Sequence, residues 1–410
     1  MSPAMYAEHD AAAERRYTDL SFLIEANDHI AGALLSLLDA GEALELIRRQ
    51  DWYPKDLESR VHQALGISTH SDHSFSFTSA LRRWRKRLPY LPAADSQLEL
   101  MRRNNGGLIL PADPGWPAQL NDLGFGAPIC LWWRAKNPEL LMTQDLETSV
   151  AIVGSRDSSD YGNQATSQLA TGLRQAGASI ISGGAYGIDA CAHRAALQVE
   201  EASAESPSTI AILAGGLDRL YPSGNHNLLR TIIGRGLLLS EVPPGMAPTR
   251  FRFLNRNRLI AGFAQLVVVT EARFRSGALS TARQAVDLGR EVAALPGSVF
   301  SPNSVGAHRL IRAGEAGLVT NVEDALELLP ALSVAARTGP ANEEPRRATD
   351  GLNGPQNLIL DVLPRRGAKL VDELCALSGL PAIDTLRALS ILEGRGQARQ
   401  EGFGWKRIGA

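Results

Sequence analysis

Two short apolar runs that end in glycine and serine constrain this chain more than any other feature. Residues 150–153 (VAIV) and 179–181 (SII) are β-rich, and each empties without a spacer into a loop, GSR at 154–156 and SGG at 182–184, that opens a helical pattern. A repeated strand, loop and helix predicts a parallel sheet, because a helix is the usual crossover between parallel neighbours. The loops then gather along one edge, where N–H groups at helix N-termini attract phosphate. The alternation continues to about residue 330, with further strands expected at 209–213, 237–239, 266–269, 292–295 and 318–320. The expected class is α/β with a doubly wound parallel sheet.

What the loops lack narrows the ligand. GxxxxGK[ST] occurs nowhere, so no lysine and hydroxyl are placed for a triphosphate and its magnesium, and ATP hydrolysis is not expected. The first loop does not fit GxGxxG either, and Arg156 directly after the turn would crowd a dinucleotide pyrophosphate. No cofactor is expected. Cys130, Cys191 and Cys375 lie far apart at no zinc-like spacing, which predicts no metal and a reducing compartment. His193, two residues after Cys191, diverges from it on a helix and is read as packing. No apolar run approaches the roughly 18 residues that span a bilayer, and the first residues do not resemble a signal peptide, so the expectation is a cytoplasmic protein without membrane insertion. Formal net charge is only −2 over 410 residues, so any nucleic-acid contact must come from a local patch.

Composition divides the chain further. Residues 1–17, rich in alanine and charge, read as a disordered tail, and 18–105 as a small helical domain. In the latter the basic run at 82–87 reads as a solvated helix face. The sheet domain spans 106–330, opening with a Pro- and Trp-rich connection at 106–135 and interrupted by a surface insertion at 200–208. Residues 331–355 lose periodicity and gather Pro, Gly and charge, the mark of a linker. Three short helical patterns and an alternating hairpin at 356–410 suggest a winged helix. Its third helix offers Arg387 and Arg395 but also Asp384 and Glu393, so a protein partner suits it as well as DNA.

The densest chemistry is at 249–260, where Arg250, Arg252, Arg256 and Arg258 interleave with Phe251 and Phe253 and no acid intervenes. Guanidinium groups grip phosphates while rings stack on unpaired bases, the way single strands are held without sequence readout. The alternative is a helix start whose arginines pair with core carboxylates such as Asp189 or Glu241; for Arg250 and Arg252 both readings stand, whereas Arg256 and Asn257 point to binding. Ser276 reads as an N-cap that, with Gly277, leaves helix N–H groups for an anion.

VAIVGSR at 150–156, SGGAYGIDACAH at 182–193, GLDRLYP at 216–222, RNRLIAG at 256–262, SGALSTA at 276–282 and VAALPG at 292–297, in this order, closely resemble the DNA-processing protein A (DprA/Smf) family over about 108–321. The resemblance implies a Rossmann-like domain flanked by a sterile-alpha-motif (SAM)-like helical domain and a winged helix. It implies a protein that binds incoming single-stranded DNA during natural transformation, protects it and helps load the RecA recombinase, with no catalysis. The strand pocket it implies uses Gly154, Ser155 and Arg156; Ser182, Gly183 and Gly184; Ser223, Asn225 and His226 after Tyr221 and Pro222; and Asn257 with Arg256 and Arg258. Many members carry a lysine where this chain has Ser223, a place His226 or Arg230 would then fill. A homodimer is implied near 307–314, through Leu310 and Ile311.

Two rivals predict different chemistry. A nucleotide phosphoribohydrolase shares glycine-rich phosphate loops, but its PGGxGTxxE signature is absent; LPGSVFSPN at 295–303 lacks the Gly-Thr pair and the glutamate. A transcriptional regulator acting through the winged helix would bind duplex DNA sequence-specifically.

Overall fold

Nine strands among the described residues form one sheet: β1 (Gly106–Ile109), β2 (Leu131–Arg134), β3 (Ser149–Val153), β4 (Ser179–Ser182), β5 (Thr209–Leu213), β6 (Leu237–Ser240), β7 (Leu266–Val269), β8 (Glu291–Ala294) and β9 (Gly317–Leu318). Their order is β1-β2-β6-β5-β4-β3-β7-β8-β9, parallel from β6 to β9. The structure, a computed structural model, describes residues 11–49, 53–54, 56–67, 76–143, 145, 147–199, 207–332 and 352–408. The chain divides into two compact units, Met1–Thr338 and Gly339–Ala410.

The parallel strands fall where alternation predicts them, but the expectation of a wholly parallel sheet needs correction. The connection at 106–135 supplies β1 and β2, which pair antiparallel with each other and, through β2, with β6. Neither strand has a legible period. The sequence of β1 starts with two glycines, and a Cβ on Gly107 would stand 3.1 Å from the Trp133 indole, so glycine makes room for the tryptophan. In β2, Trp132 and Trp133 are buried on opposite faces, which removes the polar alternation of a half-exposed strand.

Strand periodicity sorts the core into two faces. Val150 and Ile152 pack with Leu169 and Leu173 of α7 (Asp160–Gln175) and Ala192 of α8 (Ile188–Gln198). Ala151 and Val153 pack with Leu259 and Ile260 of α10 (Arg250–Gly262), Ala282 of α11 (Gly277–Asp287) and Leu310 of α12 (Val305–Arg312). Each fully buried Val, Leu or Ile among them contributes about 1.5–3 kcal/mol. From β3 the chain lays β4, β5 and, through α9 (His226–Arg235), β6 to one side, then returns through α10 to lay β7, β8 and β9 on the other. The strand order therefore reverses between β3 and β7, which is where open α/β sheets bind ligands.

Helices α1 (Ala11–Leu23), α2 (His29–Leu37), α3 (Ala40–Arg48), α4 (Leu57–Ala64) and α5 (Phe77–Arg85) surround their own core of Leu20, Leu34, Ile47, Phe77 and Trp84, and α6 (Ala94–Arg103) follows them. Phe22, Leu98 and Met101 join a cluster with Trp132 and Leu238 of the sheet. Residues 11–17, expected in a disordered tail, are the first turns of α1: Glu14 accepts from Arg102, and Thr18 is buried. Residues 1–10 lie outside the described residues. The basic run is also less solvated than expected, since Arg85 donates to the carbonyls of Leu46, Ile47 and Arg49, and Arg87 to Glu25.

In the second unit, helices Gly354–Val362, Val371–Ser378 and Ala382–Gly394 pack around Ile359, Leu374, Leu389 and Trp405, and strands Ala398–Glu401 and Gly404–Arg407 form a hairpin that Lys369 joins by a bridge to Trp405. The linker expected at 331–355 falls mostly outside the described residues, as does most of the insertion at 200–208. Among the described residues no single helix is long and apolar enough to cross a membrane, and no group of three or more His, Cys, Asp or Glu could hold a metal.

Candidate nucleic-acid interface

A cleft of about 670 Å³ opens at the point of strand reversal, between the loop after β3, the loop after β7 and one face of α10. Of the residues expected at the site it brings together Gly154, Ser155, Arg156, Arg256, Asn257, Ser276 and Gly277, and it adds Tyr221, Arg250, Phe253, Arg273 and Arg275. Five arginines therefore face two aspartates, Asp157 and Asp189. Asp157 is already paired with Arg273 at 2.6 Å, so the surplus is positive.

The first loop depends on glycine. A Cβ on Gly154 would lie 2.6 Å from Ile188 Cγ1 and 2.9 Å from the Glu271 carbonyl oxygen, because the two switch loops press against each other. Gly187, at φ +72°, lets Ile188 N–H donate to the Ser155 carbonyl at 3.1 Å. The buried Ser155 hydroxyl donates to the Asp157 carbonyl at 3.0 Å and shapes the turn. Arg156 emerges from that turn exposed, its guanidinium 4.8 Å from the centroid of the Phe253 ring. Tyr221 tilts against the same ring at 6.1 Å.

Beneath them Arg256 is buried. It donates at 2.7 Å to the Gly183 carbonyl and also to the Ile212 carbonyl, and its Nε finds no partner among the described residues. Burial, partly offset by Asp189 and reinforced by Arg156, lowers its pKa to about 10, so it remains cationic at neutral pH. Asp189 is also buried, and desolvation raises its pKa despite Arg256. Its carboxylate accepts from the N–H groups of Gly183 and Ala185 at 3.2 and 3.3 Å. Behind this pair, His193 Nδ1 lies 2.7 Å from the Thr209 hydroxyl, which donates onward to the Ile180 carbonyl; the ring therefore donates through Nδ1. Burial and Arg256 lower the His193 pKa to about 3, in line with a packing role.

The glycine loops are therefore not the open anion cradle that their sequences suggest. Asp189 occupies two N–H groups of the SGG loop, and Glu271 accepts from the N–H and hydroxyl of Ser159, the N-cap of α7. The protein's own carboxylates fill the places a phosphate would take. Ser276 does cap α11 as expected, accepting from Ala278 N–H at 3.2 Å, and that helix start lines the cleft. Arg250 and Arg275 make no ion pair among the described residues, and the phase of Arg250 on α10 turns it to the cleft.

Several expected site residues sit elsewhere. Ser182 is buried and donates to the Ile152 carbonyl at 2.6 Å. Gly183 and Gly184 are buried under the cleft floor, where a Cβ on Gly183 would run into the Arg256 guanidinium. Asn225 is buried and bonds the carbonyls of Gly184 and Ala185 at 3.0 Å each, holding the loop from behind. Ser223 and His226 are exposed but outside the cleft that holds Arg156. Arg258 is paired through two hydrogen bonds of 2.8 and 2.7 Å with Glu241 and donates to the Gly126 carbonyl, a buried structural ion pair in place of the expected DNA contact. Leu310, expected at a dimer surface, is 4% exposed within the core of its own unit, and Ile311 packs partly against that core.

A family model described as DNA recombination-mediator protein A matches residues 107–330. The chain is 42% identical over 324 residues to the putative DNA processing protein DprA of Mycobacterium tuberculosis, covering 77% of this chain and 80% of that protein. It is 41% identical over 214 residues to the DNA processing protein DprA of Streptococcus pneumoniae, covering 52% and 71%. The X-ray structure of DprA from Streptococcus pneumoniae superposes with a TM-score of 0.56 at 31% identity, covering 77% of this chain and 96% of that one, and shares its mixed α/β architecture.

Proposed function

This chain belongs to the DNA recombination-mediator protein A family, and on that premise we propose that its cleft holds single-stranded DNA and performs no chemistry on it. One observation carries the reading: exposed Arg156 lies over Phe253 above the buried cation of Arg256, so charge and an aromatic face occur at the same spot. Phosphates are attracted by Arg156, Arg250 and Arg275, while Phe253 and Tyr221 offer faces to unpaired bases, a combination suited to single strands of any sequence. The surplus of arginine over carboxylate supports binding, and the two aspartates are committed to Arg273 and to backbone N–H groups.

The family description as recombination mediators supports delivery of the bound strand to a recombinase of the RecA type, during DNA processing and transformation. We also read the helices at the N-terminus as SAM-like and the three helices with a hairpin as a winged helix, the latter supported by the Lys369–Trp405 bridge that adds a third short strand. A homodimer would use the Ile311 side of α12, and a folded Ile311→Glu variant of unchanged mass by light scattering would exclude that surface. The decisive experiment is a salt-titrated comparison of single- and double-stranded DNA of one length. Single strands should bind much more tightly, with affinity falling steeply as salt rises. Equal affinity for both forms without salt dependence would overturn the proposal.

A further inference from the structure

A second pair of the same kind stands just outside the cleft. Phe274 lies in the loop after β7 between Arg273 and Arg275, both of which line the cleft, so its Cα is one residue, about 3.8 Å along the chain, from each. Its ring is 56% exposed, and the Arg309 guanidinium of α12 sits 5.5 Å from its centroid. The arrangement repeats Arg156 over Phe253: an arginine laid on a phenylalanine that keeps open surface. Arg273 is held in turn, donating to Asn303 at 2.8 Å and to Asp157 at 2.6 Å, while Asn303 accepts Ala272 N–H at 2.7 Å through its carbonyl. The platform is thus braced to the first switch loop.

We infer that Phe274 and Arg309 form a second base-stacking platform, which receives the next part of a single strand as it leaves the cleft over Arg273 and Arg275. The inference rests on the single-strand reading above and extends it. The occupant is chosen by charge: Arg309 lies over the exposed Phe274 ring and Arg275, next to Phe274 in the chain, lines the cleft, which suits a polyanion with unpaired bases better than an apolar protein surface. A ring held by a guanidinium on one side loses little freedom when a base stacks on the other.

The test uses the full chain and fluorescent oligothymidylates of increasing length. Phe253→Ala should weaken every length. Phe274→Ala should leave the shortest bound oligomer unaffected and weaken longer ones roughly tenfold, with the salt slope unchanged because no charge is lost. Arg309→Ala should weaken the same longer oligomers and lower their slope. With 2-aminopurine walked along the strand, quenching at one position beyond the cleft should vanish in Phe274→Ala alone. Identical affinity of Phe274→Ala and the parent at all lengths, or an equal loss at all lengths, would overturn the inference. So would a change in mass by light scattering, which would make the face an interface between copies. Failure of the parent protein to bind any oligomer would instead remove the single-strand reading itself, and this extension with it.

Discussion

Replacing Arg156 by alanine separates DNA contact from structure, because its side chain is exposed and its guanidinium lies over the face of Phe253. An exposed cation–π pair contributes about 0.5–1 kcal/mol. The longer-range effects of Arg156 oppose each other, since it repels Arg256 as a like charge and attracts the Asp189 carboxylate. For a unit of this size the melting temperature should therefore fall by no more than about 3 °C. The effect on binding is larger and depends on salt. Each phosphate contact on a single strand adds about 0.7 to the slope of log affinity against log salt, so losing one costs roughly fivefold at about 0.1 M salt and almost nothing near 1 M. Fluorescence anisotropy over a salt series gives both numbers, and calorimetry on the same sample gives the third. An unchanged slope with a large drop in melting temperature would refute the reasoning and make Arg156 structural. A loss equal at all salts would leave stacking, not phosphate contact, as its role.

Arg256→Ala should behave differently from Arg156→Ala although both lie at one cleft: it strips the Gly183 and Ile212 carbonyls of a donor and removes the charge that most attracts buried Asp189, at about 2–5 kcal/mol in a denaturant titration. An Arg256→Ala protein as stable as the parent would refute the buried placement. His193 should make the fold acid-sensitive. Its folded pKa lies at about 3, below the ordinary 6.5, so the stability due to its neutral form is present above pH 6.5 and is lost as pH falls towards 3, by up to about 1.4 kcal/mol per pH unit. Denaturant midpoints measured between these limits should flatten in His193→Gln. Glu25→Ala should weaken both stability and strand binding, because Glu25 anchors α10 by accepting from Arg252 at 2.8 and 3.1 Å; burial raises its pKa, but the bonds from Arg252 and Arg87 outweigh that and lower it. A cost of about 1–3 kcal/mol by thermal melts is expected.

The parallel strands were legible because their short apolar runs alternate with helical patterns and most are bounded by glycine, and the switch loops because those runs end abruptly. Strands β1 and β2 were not, since glycine facing tryptophan and burial on both faces erase the period by which a strand is recognised. The start of α1 was hidden for another reason: Ala11, Ala12, Ala13 and Glu14 have high helix propensity but few apolar anchors, and the Glu14–Arg102 pair that pins them spans a long stretch of sequence. The loops SGG and GSR announced a site by sequence and gave no sign that Asp189 and Glu271 already occupied the N–H groups around them. Glu271 lies over a hundred residues from the Ser159 it binds and leaves no local pattern, whereas Asp189 stands only six residues after Gly183, inside the same motif, where its turn back onto the loop is a tertiary detail the motif does not spell out.

The arginine cluster shows the same limit in one helix. Read as composition, Arg250, Arg252, Arg256 and Arg258 form one basic patch. At 3.6 residues per turn they cannot share a face. Arg250, Phe253, Leu254 and Asn257 follow the i, i+3, i+4, i+7 stripe and line the cleft. Arg252 and Asn255 fall on another stripe, where Arg252 meets Glu25 and Asn255 donates to the Ala26 carbonyl at 2.8 Å. Arg258 turns to Glu241 and Gly126, and Arg256 reaches under the SGG loop. Each placement matches the partner available on that side: a carboxylate for Arg252 and Arg258, backbone carbonyls for Arg256, and the open cleft for Arg250. A positive groove that has to stay open for a polyanion cannot commit all its arginines to the fold, and α10 commits three, which hold Arg250 and Phe253, the ring under Arg156, at the cleft. The N-terminal helices therefore take part in the site without touching the cleft, because they supply Glu25 and Ala26 to the helix that forms its wall.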